Sequence, residues 1–469
     1  MKSVRRAFTL ASVTLVSTLM FANVLASDAD TLKVPTFGQV VVYRPDKSPT
    51  EVVLFISGDG GWNLGVVSMA ERLRDLGALV VGIDIRTFNA SMRNAKGCAY
   101  PAGSLEQLSR AIQQRYKLPA YIPPILAGYS SGATLVYATL AAAPSETFAG
   151  ALSLGFCPDL DEATPFCQMR GLKTAKKSKG VGYDLSPDPQ LKVPWMVLHG
   201  ESDQVCSPAS ARAFVGATGS ARLFSLPNVG HGFGIPRNWE PQFIDAYRAL
   251  VASTTKHEQP RVSIPEVDDL PLVEVPASGG INRDEMAIIV SGDGGWAELD
   301  KSVAEGLSAA GVPTVGLNSL RYFWEPRTPE AAATDLARVI THYSAAWHRE
   351  RVILVGYSFG ADALPFLVNR LDASARARVA NVVLLGLSTN AQFEFHVAEW
   401  VGQSSGPEYP TVPEVDRLSV PVTCVRGAEE EGSACGLLRS PHVHVVTVGE
   451  GHHFGGDYER LATVILGSR

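Results

Sequence analysis

Two serines occupy the pattern Gly-x-Ser-x-Gly, and each lies between an apolar run and a segment with helical spacing. They are Ser130, in Gly-Tyr-Ser-Ser-Gly (128–132), and Ser358, in Gly-Tyr-Ser-Phe-Gly (356–360). Between a strand and a helix, such glycines permit a tight turn that exposes a nucleophilic serine above a sheet. The pattern by itself fits an ordinary glycine-rich turn equally well. A nucleophilic serine also requires a base and a carboxylate that orients the base.

Both serines are followed by an acid and a histidine, in that order. The two sets are Ser130, Asp203 and His231 in the first half, and Ser358, Glu430 and His452 in the second. This is the chain order of folds that use such a serine turn. A single histidine would fit a buried, hydrogen-bonded imidazole, but two complete sets predict two catalytic triads. The glutamates at 429–431 are adjacent, and the spacing favours Glu430 over its neighbours by only one residue.

A glycine-rich loop precedes each serine. Ser-Gly-Asp-Gly-Gly-Trp occurs at 57–62 and again at 291–296. It stands where this kind of fold builds its oxyanion hole, the N–H donors that stabilise a negatively charged intermediate. By position, the expected backbone donors are those of Asp59 and Ser131 in the first half, and of Asp293 and Phe359 in the second. A plain turn, in which each aspartate bonds its own backbone, is compatible with this role because the donors belong to the main chain.

These blocks belong to an internal repeat that spans most of the chain. Four blocks recur in the same order, at offsets that drift slowly along the sequence, so two copies of one domain stand in tandem. Within each copy, short apolar runs alternate with helical segments. This predicts an α/β fold with a mostly parallel sheet and helices on both faces. We expect domains at 27–252 and 266–469, joined by a polar linker at 253–265.

The N-terminus has the layout of a secretory signal. A basic start precedes the uncharged, mostly apolar stretch 7–26, which ends in small residues. We expect residues 1–26 to be cleaved on export to the periplasm; an uncleaved anchor is the alternative. The net charge of −6 argues against a nucleic-acid partner. Six scattered cysteines do not form a zinc motif, and we expect neither a metal nor a cofactor.

Export makes the cysteines candidates for disulfides, because each half contains an even number of them. Cys424 and Cys435 flank the three glutamates, so a bridge between them would clamp the loop that carries the acid. The four cysteines of the first half fit buried free thiols equally well.

The chain resembles the VirJ/AcvB family of bacterial virulence factors over nearly its whole length after the signal segment, in its two-copy layout and most sharply in its second half. The strings that carry the likeness are the loop at 291–296, Ser-Leu-Arg-Tyr-Phe-Trp at 319–324, Gly-Tyr-Ser-Phe-Gly-Ala-Asp at 356–362, and the cysteine-flanked glutamates. The resemblance implies an α/β-hydrolase fold, a periplasmic location and hydrolysis of aminoacyl-phosphatidylglycerol, chiefly the lysyl form. It also implies that Ser358 is the essential serine, and that the partners include membrane phospholipid and components of a type IV secretion apparatus.

The implied substrate suggests further site residues. A lysyl ester carries two ammonium charges, and Asp293 and Asp362 are candidate carboxylates near Ser358. Asp362 also fits an aspartate that interacts with the dipole of a helix first turn. Trp296 and the aromatic residues at 322–324 are candidates for contact with lipid, although such clusters more often pack in a core.

Three functions remain open at this stage. The first is hydrolysis of an aminoacylated phospholipid at the membrane surface. The second is a non-enzymatic adaptor for secretion substrates, and the third is a generic secreted esterase or peptidase. Two ordered Ser–acid–His sets favour an enzyme, because a binding module does not need them. Whether both halves are active, or the first is a docking domain, stays open.

Overall fold

The computed structural model describes residues 29–94, 98–144, 146–254, 266–280, 283–394 and 408–467. The predicted signal segment lies outside these residues, as does most of the predicted linker. A helix runs through Ser253 and Thr254, the first two residues assigned to that linker. Within the described residues, no helix has the length and apolar character that a membrane span requires.

The first half forms an eight-stranded sheet with one small sheet beside it. Its strands are β1 Ala29–Val34, β2 Gly38–Tyr43, β3 Glu51–Ile56, β4 Ala78–Ile83, β5 Ile125–Tyr129, β6 Gly150–Leu154, β7 Asp159–Leu160, β8 Thr174–Lys176, β9 Tyr183–Leu185, β10 Trp195–Gly200 and β11 Ala221–Leu226. The main sheet has the order β1-β2-β4-β3-β5-β6-β10-β11. Only the pairs β1–β2 and β2–β4 are antiparallel in it. The helices are α1 Leu64–Asp75, α2 Ile85–Met92, α3 Pro101–Arg115, α4 Ser131–Ala142, α5 Pro208–Gly216 and α6 Glu240–Thr254.

The second half repeats this topology with one strand fewer. Its strands are β12 Leu272–Val275, β13 Glu285–Val290, β14 Thr314–Leu317, β15 Arg351–Tyr357, β16 Val379–Leu385, β17 Asn390–Ala391, β18 Tyr409–Pro410, β19 Val422–Ala428 and β20 Val443–Glu450. The main sheet has the order β12-β14-β13-β15-β16-β19-β20, and only β12 is antiparallel to its neighbour. The helices are α7 Glu298–Ala309, α8 Ser319–Tyr322, α9 Pro329–Trp347, α10 Phe359–Asn369, α11 Ala373–Arg378, α12 Thr411–Asp416 and α13 Tyr458–Gly467.

Each main sheet has helices on both faces, and its central strands are therefore mostly apolar. In β3, Val52 and Leu54 belong to one core cluster, whereas Val53 and Phe55 belong to a second cluster on the opposite face. Side chains alternate between faces along a strand, so an uninterrupted apolar run supplies both cores. The second half has the same two-core arrangement. The expected fold class, a tandem pair of α/β-hydrolase-like domains, is confirmed.

Candidate active site

Both predicted serine turns lie between a strand and a helix. Ser130 joins β5 to α4 with a backbone φ of 56°, and Ser358 joins β15 to α10 with a φ of 52°. A positive φ is strained for a residue other than glycine, and such strain concentrates at functional sites. A Cβ on Gly132 would collide with the carbonyl oxygens of Ile56 and Ser57. The last glycine of the pattern is thus required by the close approach of helix and neighbouring strand.

The first-half residues form a continuous hydrogen-bonded chain. Ser130 Oγ lies 2.9 Å from His231 Nε2, and His231 Nδ1 lies 2.8 Å from Asp203 Oδ2. The other oxygen of Asp203 accepts hydrogen bonds from the backbone N–H groups of Val205 and Cys206, each at 2.9 Å. Because Asp203 is buried and held by the backbone, it can orient the imidazole toward the serine.

The second half builds the same chain with a glutamate. Ser358 Oγ lies 2.9 Å from His452 Nε2, and His452 Nδ1 lies 2.5 Å from Glu430 Oε1. Glu430 Oε2 accepts a hydrogen bond from the Gly427 N–H at 3.0 Å. Of the three adjacent glutamates, Glu430 is therefore the one whose carboxylate reaches the histidine. This imidazole is more open to solvent than that of the first site, with 42% of the His452 side chain exposed against 16% for His231.

Disulfides lie next to both acids. A disulfide joins Cys424 to Cys435, and the Cα atoms of the two residues are 5.6 Å apart. The bridge encloses the loop that carries Glu430. In the first half, Cys157 is bonded to Cys206, whose N–H donates to Asp203. The remaining pair is Cys98–Cys167. All six cysteines are in the described part of the chain and are paired there, so the alternative of free thiols in the first half is wrong.

The two glycine-rich loops lie beside the serines, as an oxyanion hole requires. A Cβ built on Gly58 would lie 3.0 Å from Ser130 Cβ, and one on Gly292 would lie 3.6 Å from Ser358 Cβ. The expected N–H donors of Asp59 and Asp293 follow these glycines, and the other donors, Ser131 and Phe359, follow the serines at the first residue of α4 and α10. Their role as donors stays a prediction.

The structure corrects the expectation that Trp296 contacts substrate. Its side chain is in a core cluster, with only 6% of the residue exposed, and its ring covers the space that a Cβ on Gly316 would need. Trp62 covers Gly82 in the same way in the first half. The tryptophan of the repeated loop thus anchors the loop to the sheet, because a strand glycine leaves room for the ring.

The side chain of Asp362 forms hydrogen bonds within the protein. Its Oδ1 accepts a hydrogen bond from the Ser388 N–H at 2.7 Å, and its Oδ2 accepts one from the Ser388 hydroxyl at 2.6 Å. Burial raises the pKa of Asp362 to about 7. A carboxyl group with both oxygens bonded to Ser388 is a poor partner for an ammonium group. This corrects its assignment as a substrate-binding residue, and Asp293, with 62% of its side chain exposed, is the more accessible carboxylate.

Sequence reasoning missed an acidic cleft beside Ser130. Its lining includes four carboxylates, namely Asp59, Asp159, Asp161 and Glu162. Lys177 pairs with Asp159 and Asp161, and Arg93 pairs with Glu162. Burial also raises the pKa of Glu162. The acidic string Asp-Leu-Asp-Glu (159–162) was visible in the sequence, but its distance from Ser130 in the chain concealed the contact.

One group of side chains in the described residues has the proximity that a metal ion needs, and it belongs to the first site. The ligand atoms of Asp203, Cys206 and His231 lie within 4.8 Å of one another. The sulfur of Cys206 is in a disulfide, and Asp203 and His231 are hydrogen-bonded to each other. These groups therefore suit a proton-transfer chain better than a metal site.

Several solved structures have a similar fold over about half of this chain. Est1E from Butyrivibrio proteoclasticus is 12% identical, with 48% of this chain and 99% of that chain covered and a TM-score of 0.33. A putative dienelactone hydrolase from Klebsiella pneumoniae is 15% identical, with 49% and 98% covered and a TM-score of 0.35. An α/β serine hydrolase without a lid from Xanthomonas campestris is 23% identical, with 50% and 94% covered and a TM-score of 0.30. A comparison with curated protein sequences gives no significant match.

The sequence profile of a bacterial virulence protein family, VirJ, matches two regions of the chain. They are residues 50–154 and 284–469, which together make up more than half of the sequence. The first region contains one serine turn and the preceding glycine-rich loop. The second contains the complete Ser358–His452–Glu430 chain. Because the profile covers more than half of the chain, this protein belongs to the VirJ family of bacterial virulence proteins.

Proposed function

We propose that this protein is a periplasmic serine esterase that hydrolyses aminoacyl-phosphatidylglycerol, chiefly its lysyl form, with Ser358 as the nucleophile. The observation that carries the proposal is the chain Ser358–His452–Glu430, with donor–acceptor distances of 2.9 and 2.5 Å, inside the region 284–469 that matches the VirJ profile. Its products are the free amino acid and phosphatidylglycerol.

In the first half-reaction, Ser358 Oγ attacks the ester carbonyl carbon while His452 Nε2 takes its proton. Glu430 holds Nδ1–H and stabilises the imidazolium ion that forms. Negative charge develops on the carbonyl oxygen, and we expect the N–H groups of Asp293 and Phe359 to stabilise it. The protonated His452 then gives its proton to the departing phosphatidylglycerol oxygen, and the aminoacyl group stays on Ser358.

In the second half-reaction, water takes the place of the alcohol. His452 removes a proton from the water as its oxygen attacks the acyl carbon, and then returns the proton to Ser358 Oγ. The amino acid leaves with its carboxyl group, which releases its proton to bulk water and becomes a carboxylate, and the enzyme is regenerated. No redox change occurs in either half-reaction, and both use only groups in this site and water.

The cationic substrate makes the first site a second candidate for the same chemistry. Four carboxylates line the cleft beside Ser130, against the cations Lys177 and Arg93. An excess of negative charge in a partly enclosed cleft favours an acyl group that carries ammonium charges. The alternative proposal is therefore that Ser130 hydrolyses the cationic ester and Ser358 serves another one.

The location, the lipid partner and the link to virulence are parts of the same proposal. A signal-like N-terminus and even cysteine usage are consistent with an exported protein. Lysyl-phosphatidylglycerol at the membrane surface is then the lipid partner, and secretion-system components are further candidate partners. Removal of the lysyl group would restore negative charge to that surface.

The proposal is tested with the purified protein and vesicles that contain lysyl-phosphatidylglycerol, by release of free lysine. Ser358→Ala and Ser130→Ala are compared with wild type, and a serine-directed fluorophosphonate reports each nucleophile separately. We expect Ser358→Ala to abolish release. Abolition by Ser130→Ala alone would support the second candidate instead. Labelling without lysine release would leave a generic esterase, and no labelling would favour the non-enzymatic adaptor.

A further inference from the structure

The two domains meet at the glycine-rich loop of the second active site. Arg110 lies on α3 of the first domain and is only 7% exposed. Its Nη1 donates a hydrogen bond to Oδ2 of Asp293, at 3.3 Å. Its Nη2 donates to Oε1 of Glu106, at 2.6 Å. A first-domain cation thus contacts the loop 291–296, which lies beside Ser358.

The guanidinium group is held in place on its own domain. Glu106 and Arg110 are one helical turn apart on α3, and burial raises the pKa of the Glu106 carboxyl. A buried arginine that bonds two carboxylates has a fixed geometry, because its donors are arranged in a planar fork. Because Arg110 is itself held by Glu106, its hydrogen bond to Asp293 can fix the position of the loop 291–296.

A second contact holds the segment against which that loop packs. Trp324 Nε1 donates a hydrogen bond to the Leu118 carbonyl oxygen of the first domain at 2.8 Å, and its ring centroid lies 5.4 Å from that of Tyr121. Leu320 completes this small apolar cluster. A Cβ on Gly295 would lie 3.2 Å from Leu320 Cβ, so the loop and the segment 319–324 are in direct contact.

We propose that Arg110 is a positioning residue for the second active site, through which the first domain holds the Asp293 N–H in place as an oxyanion donor to Ser358. This rests on the proposed function, in which the Ser358 site is catalytic. It also gives the first domain a role that does not depend on the chemistry of Ser130. An oxyanion donor acts on the transition state, so a misplaced loop should lower kcat rather than raise KM.

The test uses the full-length protein and the variant Arg110→Met, which keeps the bulk of the side chain and removes its charge. The rate of fluorophosphonate labelling is measured for each serine separately, by mass spectrometry of the two labelled peptides. We expect labelling of Ser358 to slow by about tenfold to a hundredfold. Labelling of Ser130, in the same domain as Arg110, should stay within about twofold of wild type. In lysine release, the loss should fall on kcat.

Glu146→Gln is the matched control. Glu146 forms another ion pair between the domains, with Lys301 of α7 at 3.0 Å, a residue outside the loop 291–296. In this variant, we expect the fluorophosphonate to label both serines at the wild-type rate. Equal slowing of Ser358 by Glu146→Gln would overturn the proposal in favour of general domain docking. Unchanged labelling of Ser358 in Arg110→Met, or equal slowing of both serines, would overturn it as well.

Asp293→Ala keeps the test decisive if Arg110→Met does not fold. This exposed substitution retains the backbone N–H and removes the oxygen that accepts the Arg110 hydrogen bond, so Ser358 alone should again react more slowly. The double variant should be no slower than the slower single variant, because both changes break one interaction; independent, multiplied effects would overturn the proposal. If Ser358 of the wild-type protein is labelled by the fluorophosphonate but no lysine is released, the proposed substrate is refuted. The labelling rates would still decide the role of Arg110.

Discussion

Glu430 and Glu431 are neighbours in the chain but have different surroundings. Glu430 bonds His452 with a side chain that is 6% exposed, whereas Glu431 is exposed to solvent. We expect Glu430→Gln to lower kcat by about 10³- to 10⁴-fold, because the protonated imidazole loses the carboxylate that orients and stabilises it. Glu431→Gln also removes one negative charge, but its kcat should stay within about twofold of the wild-type value. Steady-state kinetics of the two variants decides, and an equal loss in both would contradict the assignment.

Asp300 is a second residue with a distinctive environment. Its side chain is completely buried, it accepts a hydrogen bond from the Ala297 N–H at 3.1 Å, and burial raises its pKa to about 7. The native state therefore keeps a proton that the unfolded chain releases near pH 4. Its contribution to stability is full at low pH and is lost as the pH rises through about 7.

This linkage predicts a pH-dependent effect of Asp300→Asn. At pH 4 and below, both side chains are mostly neutral in the folded and the unfolded chain, so the variant should differ little from wild type. By pH 8 only wild type bears the cost of a buried carboxylate, and the variant should gain at most about 4 kcal/mol in relative free energy of unfolding. Denaturant unfolding of both proteins at pH 4 and pH 8 measures the change. A difference that is independent of pH would show that Asp300 does not titrate in this range.

At the scale of elements, β19 and the loop after it must present Glu430 at one position. The Cys424–Cys435 disulfide closes this segment, with a sequence separation of 11 residues, and both cysteines are buried. Replacement of both by alanine should lower the free energy of unfolding by about 2–3 kcal/mol, from the lost constraint on the unfolded chain. We also expect kcat to fall and KM to hold, because the carboxylate loses its support.

Thermal unfolding and lysine-release kinetics of Cys424→Ala/Cys435→Ala measure both effects. The matched control is Cys98→Ala/Cys167→Ala, which opens a first-domain disulfide away from Glu430. That variant should lose stability without a comparable loss of Ser358 activity. Full activity in the Cys424/Cys435 variant would refute the clamp.

At the scale of the whole molecule, specific contacts between described residues join the two domains. Trp324 is 8% exposed, and it bonds Leu118 and packs on Tyr121 across the interface. We expect Trp324→Ala to uncouple the domains, because the truncation removes the hydrogen bond and most of the apolar contact. Calorimetry should then resolve two separate unfolding transitions. Leu437→Ala truncates an exposed apolar side chain and should leave the unfolding profile unchanged; a similar change in both variants would contradict the role of Trp324.

The sequence by itself determined the fold class, the tandem repeat, the first Ser–His–acid set, and the serine and histidine of the second set. These features depend on local patterns: apolar runs that alternate with helical spacing, glycines at a strained turn, and the order of blocks along the chain. Ser130 and Ser358 could be placed at strand ends because glycines between an apolar run and a helical segment indicate a tight turn.

Only the tertiary structure decided which of three adjacent glutamates meets His452, that Trp296 packs in the core, and which cysteines pair in the first half. It also brought Arg110 to Asp293, 183 positions away in the chain. A shift of one residue in a loop, or the rotation of one side chain, leaves the local pattern unchanged but moves an atom by several ångströms. Such contacts are set by how helices, sheets and domains pack, and no local regularity in the sequence encodes them.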